Sequence, residues 1–548
     1  MKTLLFISLF FFLTVTAWAQ KTNERPRLVV GIVVDQMRQE YLYRFANKFG
    51  PGGFKRLMSD GFMLKNAHYN YVPTITGPGH ASVYTGTTPA IHGIIGNDWY
   101  DKESRKQVNC VGDDRQKPLG NDKGNGDVSP WRMLSTTITD ELKLSTQMTS
   151  KVVGISIKDR GAVLPAGHTP DGAYWYDGTT GHFISSTYYM QDLPDWIKRF
   201  NAQNLAAKYL SQEWNTLLPI AQYTESGPDD SPYETKLKGK EKPTFPYNLP
   251  ELRKSSGYDL LTSTPFADDM LTDLAKATLD AEGMGKDDTP DFLAISYSTP
   301  DIVGHGMGPN SVEIEDIYIR LDRNIQDLLN ELDKKVGQGK YTVFLTADHA
   351  VAEVPQYLKD HSIPADYFKF TGEAGLNDYL QKYFPGKKMV ENVSNNQVFL
   401  NQDLFSGDPK SGGIELLIAT ELINRYLMTI PGVAQVYSES ILRQGDYGQQ
   451  GTKGMIIRGY NHKRSGDIAF VLEPGWMSAG ATGTTHGSGY TYDTNIPVLF
   501  YGAGIKKGSS TLYHPITDIA PTLSMVLSVK FPSGCTGQPV SEALESGH

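Results

Sequence analysis

Short apolar runs rich in β-branched residues recur along the chain, and each one ends near polar residues. Three of them cover residues 28–34, 292–297 and 342–345, and a fourth run at 496–501 resembles them. Runs of this kind are typical of strands buried on both faces, as in a parallel sheet covered by helices. The pattern therefore predicts a core sheet assembled from segments that lie far apart in sequence.

A long amphipathic helix is predicted between the second and third of these strands. From Ser311 onward, apolar residues return with helical spacing at Ile314, Ile317, Leu321, Ile325, Leu328 and Leu332. This spacing places them on one buried face. Strand, helix and strand form the βαβ unit of a doubly wound α/β fold, a mostly parallel sheet flanked by helices. Ligands of such folds bind beyond the carboxyl ends of the strands.

Two stretches are interpreted as cap-like insertions rather than parts of the sheet. They cover residues from about 167 to 290, rich in Tyr, Pro, Asn and Gly, and from about 355 to 480. Polar residues that are candidates for chemistry lie on both sides of each stretch. We therefore expect a single catalytic domain over residues 20–548 that carries elaborations, and not a string of independent domains.

The N-terminus has the pattern of a secretory signal peptide. Lys2 precedes an apolar run over residues 4–15, and Ala-Trp-Ala follows at 17–19. The run is shorter than the roughly 20 residues that a membrane-spanning helix needs, so cleavage after Ala19 is the better interpretation. The mature chain is expected to begin near Gln20, without a membrane span, in the periplasm or secreted.

Charge and cysteine content exclude several classes of protein. The formal charge is −9, from 52 basic and 61 acidic residues, which argues against a nucleic-acid partner. Only Cys110 and Cys535 are present, so neither a disulfide scaffold nor a cysteine-rich zinc site is possible. These two thiols allow one disulfide or two free cysteines, and the sequence leaves both open.

Aspartate and histidine residues follow the predicted strands. The set consists of three carboxylates and three imidazoles: Asp35, Asp301, His305, Asp348, His349 and His486. Each one alone is more commonly a turn, cap or surface residue. Their placement after successive strands favours a shared metal centre, and oxygen and nitrogen donors without sulfur suit catalytic zinc. Six ligands are enough for two metal ions, which together could clamp the oxygens of a phosphoryl transfer.

The order of these residues and the stretches around them resemble the alkaline phosphatase superfamily, most closely its PafA-type bacterial alkaline phosphatases. The resemblance covers nearly the whole mature chain. The stretches that carry it are residues 33–37, 71–76, 96–101, 158–160, 164–168, 304–306, 347–349, 463–467 and 518–521.

The resemblance implies a role for each candidate residue. One zinc ion would be bound by Asp301, His305 and His486, and a second by Asp35, Asp348 and His349. Thr76 would be the nucleophile, with its hydroxyl on the second zinc, and would form a phosphothreonine intermediate. The non-bridging phosphoryl oxygens would be held by Asn97, Lys158 and Arg160. The implied substrates are small phosphate monoesters, and the implied state is a monomer.

Without the resemblance, several of these residues have ordinary structural interpretations. Thr76 would be a turn residue in a loop rich in Thr, Gly and Pro, and Lys158 and Arg160 would be solvated charges on one face of a strand. Ala350 stands where the family commonly has Gly, and Gly-Pro-Gly follows the proposed nucleophile at 77–79. We expect these departures to affect packing and not metal binding.

Three rival functions remain open from the sequence. A nucleotide phosphodiesterase would share the metals and the threonine, but two cations at Lys158 and Arg160 better suit a dianionic monoester. A sulfatase needs a Cys or Ser within a C/S-x-P-x-R motif, which the residues after Thr76 lack. A non-catalytic exported binding protein for phosphate or metal would not need a nucleophile, metals and phosphoryl contacts together.

Overall fold

A computed structural model describes residues 25–122, 126–405, 415–478 and 480–546. The predicted signal peptide, residues 1–19, lies outside the described residues. The strands are β1 (Leu28–Val34), β2 (Phe62–Leu64), β3 (Ala67–His68), β4 (Asp98–Asp101), β5 (Lys106–Asn109), β6 (Pro118–Leu119), β7 (Val152–Ser156), β8 (Gly172–Asp177), β9 (His182–Ser186), β10 (Glu213–Trp214), β11 (Tyr247–Asn248), β12 (Asp291–Tyr297), β13 (Tyr341–Thr346), β14 (Asp366–Tyr367), β15 (Val390–Ser394), β16 (Gln397–Leu400), β17 (Val433–Ser438), β18 (Ile468–Leu472), β19 (Trp476–Met477), β20 (Val498–Gly502), β21 (Gly508–Ser510) and β22 (His514–Pro515).

Helices connect these strands along the whole described chain. They are α1 (Tyr41–Arg44), α2 (Phe54–Asp60), α3 (Thr76–Thr85), α4 (Pro89–His92), α5 (Ile138–Ser145), α6 (Asp159–Ala166), α7 (Asp195–Asn201), α8 (Leu205–Tyr209), α9 (Leu249–Ser256), α10 (Phe266–Ala281), α11 (Thr299–Met307), α12 (Val312–Lys335), α13 (Pro355–Asp360), α14 (Gly372–Leu380), α15 (Leu416–Leu427), α16 (Glu439–Arg443), α17 (Gly451–Gly459), α18 (Thr491–Thr494) and α19 (Ile519–Leu527).

The main sheet is a mixed sheet with a parallel centre. Among the described residues its ten strands run in the order β21-β2-β20-β13-β1-β12-β7-β8-β9-β6. The five central strands, β13, β1, β12, β7 and β8, are parallel to one another. Every residue of β1, β12 and β13 is buried, which means that both faces of the sheet are covered. This confirms the predicted doubly wound α/β fold and its first three strands.

The predicted amphipathic helix is α12. The side chain of Ser311 caps it by accepting a hydrogen bond from the backbone N–H of Ile314, at 3.2 Å. Its apolar positions, from Ile314 to Leu332, are buried as the spacing predicts. The fourth predicted strand is β20, but it runs antiparallel to β13. An apolar run indicates burial and does not encode direction, so this strand was wrongly grouped with the parallel ones.

The structure places part of the stretch at 167–290 in the main sheet. Strands β8 and β9 pair with each other at its edge, and β8 also pairs with β7. All six residues of β8 are buried. Its composition, Gly-Ala-Tyr-Trp-Tyr-Asp, has few β-branched residues, which is why the apolar-run criterion did not detect it.

The stretch at 355–480 contains a second layered unit, which we call the cap. Four antiparallel strands, β15, β16, β18 and β17, form its sheet, and helices α14 and α15 pack on this sheet around an apolar core of their own. Near the two ends of the cap, β14 pairs with β19, with Asp366 opposite Trp476. The cap thus leaves and rejoins the main body at neighbouring points.

Two remaining predictions concern the cysteines and the membrane. Cys110 and Cys535 are both free, and Cys110 is buried. Of the two possibilities that the sequence left open, the structure has the unpaired thiols. No helix in the described part of the chain is long and apolar enough to cross a bilayer.

Candidate active site

Four neighbouring strands of the parallel centre deliver polar side chains to one edge of the sheet. Asp35 directly follows β1, and Asp348 comes two residues after β13. Asp301 lies in the first turn of α11, just beyond β12, and Lys158 comes two residues after β7. Because the carboxyl ends of parallel strands meet at one edge, segments more than a hundred residues apart converge there.

A partly buried ammonium group bridges two of the carboxylates. Lys158 Nζ lies 2.6 Å from Asp35 Oδ2 and 2.5 Å from Asp301 Oδ2. Burial opposes the charge of Lys158, but the two carboxylates raise its pKa above the usual range. Burial and the nearby Asp301 likewise oppose ionisation of Asp35, yet Lys158 and His349 hold the pKa of Asp35 below its usual range. These carboxylates therefore stay anionic and attract cations.

Three imidazoles are oriented in the same way, each with Nδ1 against a backbone carbonyl. The pairs and their separations are His305 with Thr484 O at 3.0 Å, His349 with Ala350 O at 3.0 Å, and His486 with Thr74 O at 2.8 Å. A carbonyl oxygen only accepts, so each Nδ1 donates. When such a ring is neutral, its Nε2 lone pair is left for another partner, as in metal-binding histidines.

The Nε2 atoms point at the carboxylates. His305 Nε2 and His486 Nε2 lie 3.1 and 3.5 Å from Asp301 Oδ1, and His349 Nε2 lies 3.3 Å from Asp35 Oδ1. Two groups have their ligand atoms within 4.8 Å of one another: Asp301 with His305 and His486, and Asp35 with Asp301 and His349.

The first group is the triad assigned to one zinc ion from the sequence. In the second group Asp301 stands where the sequence assignment has Asp348. Asp348 lies alongside, with its Oδ2 3.6 Å from His349 Nε2. The side chains of both assigned triads therefore lie together at this edge of the sheet.

Unpaired buried atoms at this centre indicate that a cation fits it. Asp35 Oδ1, Asp348 Oδ2 and His349 Nε2 are buried and have no hydrogen-bond partner among the described residues. Facing lone pairs of this kind cost free energy unless a positive charge lies between them. Burial and Asp35 raise the pKa of Asp348, and its neighbouring carboxylates raise the pKa of His349 to about 9 against the effect of burial. The donor set fits divalent metal ions such as zinc.

Thr76 is the first residue of helix α3 and is buried, so the interpretation of this segment as a loop was wrong. The glycines after it serve close packing, as expected. A Cβ on Gly79 would lie 2.3 Å from Asp348 O, so glycine lets α3 approach the segment that carries Asp348. Asn97 is held beside Thr76, because its Oδ1 accepts a hydrogen bond of 2.7 Å from the backbone N–H of Gly77.

The two predicted phosphoryl-binding cations do not share a strand face. Strand β7 ends at Ser156, and α6 begins at Asp159, an acidic residue that favours the positive N-terminus of a helix. Lys158 therefore precedes the helix, and Arg160 lies in its first turn. Arg160 has a buried Nε without a hydrogen-bond partner among the described residues, and its Nη1 lies 3.5 Å from Asp159 Oδ1.

Sequence reasoning missed Gln36, which connects two ligands. It follows Asp35 with a left-handed φ of 67°, an uncommon conformation for a residue other than glycine. Its Nε2 donates to Asp301 Oδ1 at 2.7 Å, and its backbone N–H donates to Asp348 Oδ1 at 3.2 Å. The sequence indicated a role for Gln36 at the site only through its position directly after Asp35, a candidate ligand.

Sequence reasoning also missed His80, one turn beyond Thr76 in α3. Its Nδ1 donates to Thr76 O at 2.9 Å, and its Nε2 accepts from Ser296 Oγ at 2.8 Å. The same Nδ1 lies 3.4 Å from Asp348 Oδ2. Burial lowers its pKa to about 4, which keeps the ring neutral. The spacing of four residues brings His80 next to Thr76 only in a helix, so the sequence alone did not indicate this contact.

The cap touches the site through the segment that carries Asn97. Residues Asn395 and Asn396 form the tip of the β15–β16 hairpin, both with left-handed φ angles, and Asn395 Nδ2 donates to Asp98 O at 2.7 Å. Further along β4, the hydroxyl of Tyr100 donates to Glu391 Oε2 at 2.7 Å. Asn97 is thus held by α3 on one side and is followed by a strand that is held by the cap.

Comparisons with known proteins give matches over most of the chain. A family model described as type I phosphodiesterase / nucleotide pyrophosphatase matches residues 29–495. The chain is 45% identical to the alkaline phosphatase PafA of Elizabethkingia meningoseptica, over 96% of each chain. It is 43% identical to a protein of Myroides odoratus named calcium-transporting ATPase, over 97% of each. It is also 42% identical to the alkaline phosphatase PhoV of Synechococcus elongatus, over 96% of this chain and 94% of that protein.

The fold is similar to a solved structure as well. A crystal structure of wild-type PafA superposes with a TM-score of 0.91 at 44% identity, covering 95% of this chain and 99% of the other. Similarity of this extent covers the main sheet and the cap together.

Proposed function

Since the chain belongs to the alkaline phosphatase superfamily, as a relative of the PafA and PhoV alkaline phosphatases, and is a phosphoric monoester hydrolase, we propose that it is an exported, zinc-dependent enzyme with Thr76 as its nucleophile. The observation that carries this proposal is the convergence of three imidazole Nε2 atoms and three aspartates, with unpaired buried atoms between them, beside Thr76. This arrangement supplies ligands for metal ions next to a hydroxyl at a helix N-terminus.

The proposed metals are two zinc ions. Asp301, His305 and His486 would hold one, and Asp35, Asp348 and His349 the other. When bound, zinc supplies Lewis-acid stabilisation of the negative charge that develops on the reacting oxygens. Gln36 and His80 position these ligands, because each binds Asp348 or lies against it while contacting a second part of the site.

The chain's own residues perform the covalent steps. The Thr76 oxygen attacks phosphorus and its proton passes to solvent. The bond from phosphorus to the ester oxygen breaks, and that oxygen leaves with the electron pair and takes a proton from solvent to become the alcohol. Water then attacks the phosphothreonine, which releases inorganic phosphate and restores the hydroxyl. The N-terminus of α3 favours the negative phosphoryl group. Asn97, Lys158 and Arg160 hold the non-bridging oxygens.

Monoesters are the proposed substrates because of these cations. A monoester leaves its non-bridging oxygens free for contact and carries nearly two negative charges, whereas a substituent in a diester replaces one contact. The family model includes phosphodiesterases, which makes a diesterase the second candidate. The name of the Myroides relative raises ATP as a further substrate, since its terminal phosphoryl group also has a single substituent.

One set of assays separates these candidates. Purified enzyme is given a chromogenic monoester, the matching diester and ATP, with phosphate release measured for each, and 32P-labelled substrate is used to trap the covalent intermediate. We expect the highest kcat/KM for the monoester and label on Thr76. Faster diester hydrolysis would overturn the monoester assignment, and label on another residue would overturn the assignment of the nucleophile.

Export is proposed from the N-terminal pattern alone. N-terminal sequencing of the protein from the extracytoplasmic fraction is expected to begin near Gln20. An intact Met1 in that fraction would exclude the cleaved signal peptide. We also propose that residues 20–548 act as one catalytic domain with the cap as an elaboration, and that the enzyme is a monomer.

A further inference from the structure

A cavity of about 320 Å³ lies between the catalytic edge of the main sheet and the cap. On the catalytic side it is lined by His486 and by Ile75, the residue before the proposed nucleophile. On the cap side it is lined by Asn395, which binds Asp98 O next to Asn97. The cavity thus adjoins the candidate site at two points, and its volume is in the range of roughly 300–1,000 Å³ found for small-molecule sites.

The walls of this cavity are mainly apolar and aromatic. Ile456, Phe470, Trp476 and Tyr492 contribute to them from the cap and from the segment after His486. No lysine or arginine occurs among the described residues that line it. The carboxylate in the lining, Asp493, is buried and accepts hydrogen bonds from the backbone N–H and hydroxyl of Ser488. The cavity therefore offers more apolar than polar surface and no lysine or arginine side chain.

We propose that this cavity binds the alcohol portion of the phosphate monoester, and we call it the alcohol pocket. The inference rests on the proposed function and adds the substrate class: uncharged esters with a flat, apolar alcohol. In an in-line displacement the leaving oxygen departs on the side opposite the attacking oxygen. Because the Thr76 hydroxyl is assigned to the other ion, the zinc ion that Asp301, His305 and His486 would hold is assigned to the leaving oxygen. The alcohol pocket begins at His486.

Two physical effects set the selectivity. An aryl group that enters the pocket leaves water for an apolar environment, which favours it in proportion to the buried area. An alcohol that carries a carboxylate loses hydration there without gaining a counter-charge, which disfavours it. The same enzyme should therefore prefer an aromatic alcohol and discriminate against an anionic one.

The first test compares kcat/KM for 2-phenylethyl phosphate and ethyl phosphate, whose alcohols have similar acidity. We expect wild-type enzyme to prefer the phenylethyl ester by about tenfold or more. Phe470→Leu should reduce this ratio severalfold. Phe384→Leu is the matched control, because Phe384 packs against the same apolar core of the cap and does not line the pocket. Equal ratios in wild type and Phe470→Leu would overturn the proposal.

The second test introduces a charge without touching the core. Ser478 is exposed at the rim of the pocket, so Ser478→Lys should fold normally. We expect the wild type to disfavour 3-carboxypropyl phosphate relative to butyl phosphate, and the variant to reduce that discrimination at low ionic strength. If the ratio of kcat/KM for the two esters were the same in Ser478→Lys and wild type, the proposal of the alcohol pocket would be overturned. Turnover of all esters without discrimination refutes only the pocket, whereas failure to hydrolyse any monoester refutes the proposed function.

Discussion

At the carboxyl edge of the main sheet, candidate ligands follow strands that are buried along their whole length, whereas the cap reaches the same site through one hairpin tip and a few side chains. Asp35 and Asp348 are held in place by the fully buried strands β1 and β13 that precede them. The cap, with its own core, contacts the segment that follows Asn97 through its hairpin tip. It also binds backbone carbonyls between residues 70 and 93 through Arg458, Asn461 and Arg464, and it lines the cavity beside His486. Under the proposed function, the residues at the sheet edge make and break bonds, and the cap selects and aligns the substrate. Changes in the first region should therefore abolish turnover, and changes in the second should tune it.

Removal of metal from the sheet edge should have the largest effect. Dialysis against a chelator is expected to reduce monoester hydrolysis to the background rate, because it removes the metal ions that would polarise the reacting oxygens. Zinc should restore it, and elemental analysis should find two zinc ions per chain.

The matched variants for this experiment are His486→Ala and His462→Ala. The first should lose bound zinc and activity together, whereas His462 is exposed in the cap and its variant should keep both. Full activity in metal-free protein would refute the metal centre.

Loss of the nucleophile should be nearly as severe. Thr76→Ala is expected to lower kcat by at least about 10³-fold, as removal of a covalent nucleophile does elsewhere, while zinc content and thermal unfolding stay unchanged. Thr76→Ser keeps a hydroxyl at the start of α3 and should retain substantial activity. If Thr76→Ala still yielded a covalent phosphoenzyme, another residue would be the nucleophile.

The phosphoryl-binding cations should have a smaller effect that depends on the substrate. Lys158→Ala and Arg160→Ala are each expected to lower monoester turnover by about 10²- to 10³-fold and diester turnover much less, because a diester has one oxygen fewer to contact. Steady-state kinetics on both ester classes checks this.

Lys151→Ala, at the opposite end of β7, is the control and should change neither rate. Equal losses on both esters would mean that Lys158 acts only by neutralising Asp35 and Asp301, which it contacts in this structure.

The cap contact should produce the smallest effect. Asn395→Gly removes the hydrogen bond to Asp98 O without backbone strain, because glycine accepts the left-handed conformation of this turn. One hydrogen bond is worth about 1 kcal/mol, so kcat/KM should fall by no more than about tenfold. Asn396→Gly is the matched control: Asn396 has a similar φ angle and also lines the cavity, but the hydrogen bond to Asp98 O comes from Asn395, so the loss in this variant should be smaller. Identical losses in the two variants would show that the cap does not align Asn97.

The same division explains how much could be predicted from the sequence. Residues at the sheet edge follow apolar runs, so the strands before Asp35, Asp301 and Asp348 were located correctly and their convergence follows from parallel pairing. Periodicity does not encode strand direction, and β20 was misjudged for that reason. It also does not detect a helix that begins Thr-Gly-Pro-Gly, as α3 does, because glycine disfavours helix. The close approach of Gly79 to Asp348 O, which explains that glycine, is a tertiary contact.

The sequence did not indicate Gln36 and His80, the proposed positioning residues, for a related reason. Gln36 acts through a left-handed backbone conformation, and His80 acts through a contact with Ser296, which lies far away in sequence. Both depend on three-dimensional pairing that no local pattern shows. The roles given to Asn97 and Arg160 came from family resemblance, and neither follows a predicted strand.

The short pairing of β14 with β19 has a consequence for how such a chain can diverge. Because the cap departs and returns through two strands that lie side by side, its ends are already fixed at neighbouring points. A segment anchored in this way can be lengthened, shortened or exchanged without moving the strands that carry Asp35, Asp301 and Asp348. Grafting the equivalent segment of a relative between Asp366 and Met477 is thus a route to altered substrate range on an unchanged metal centre.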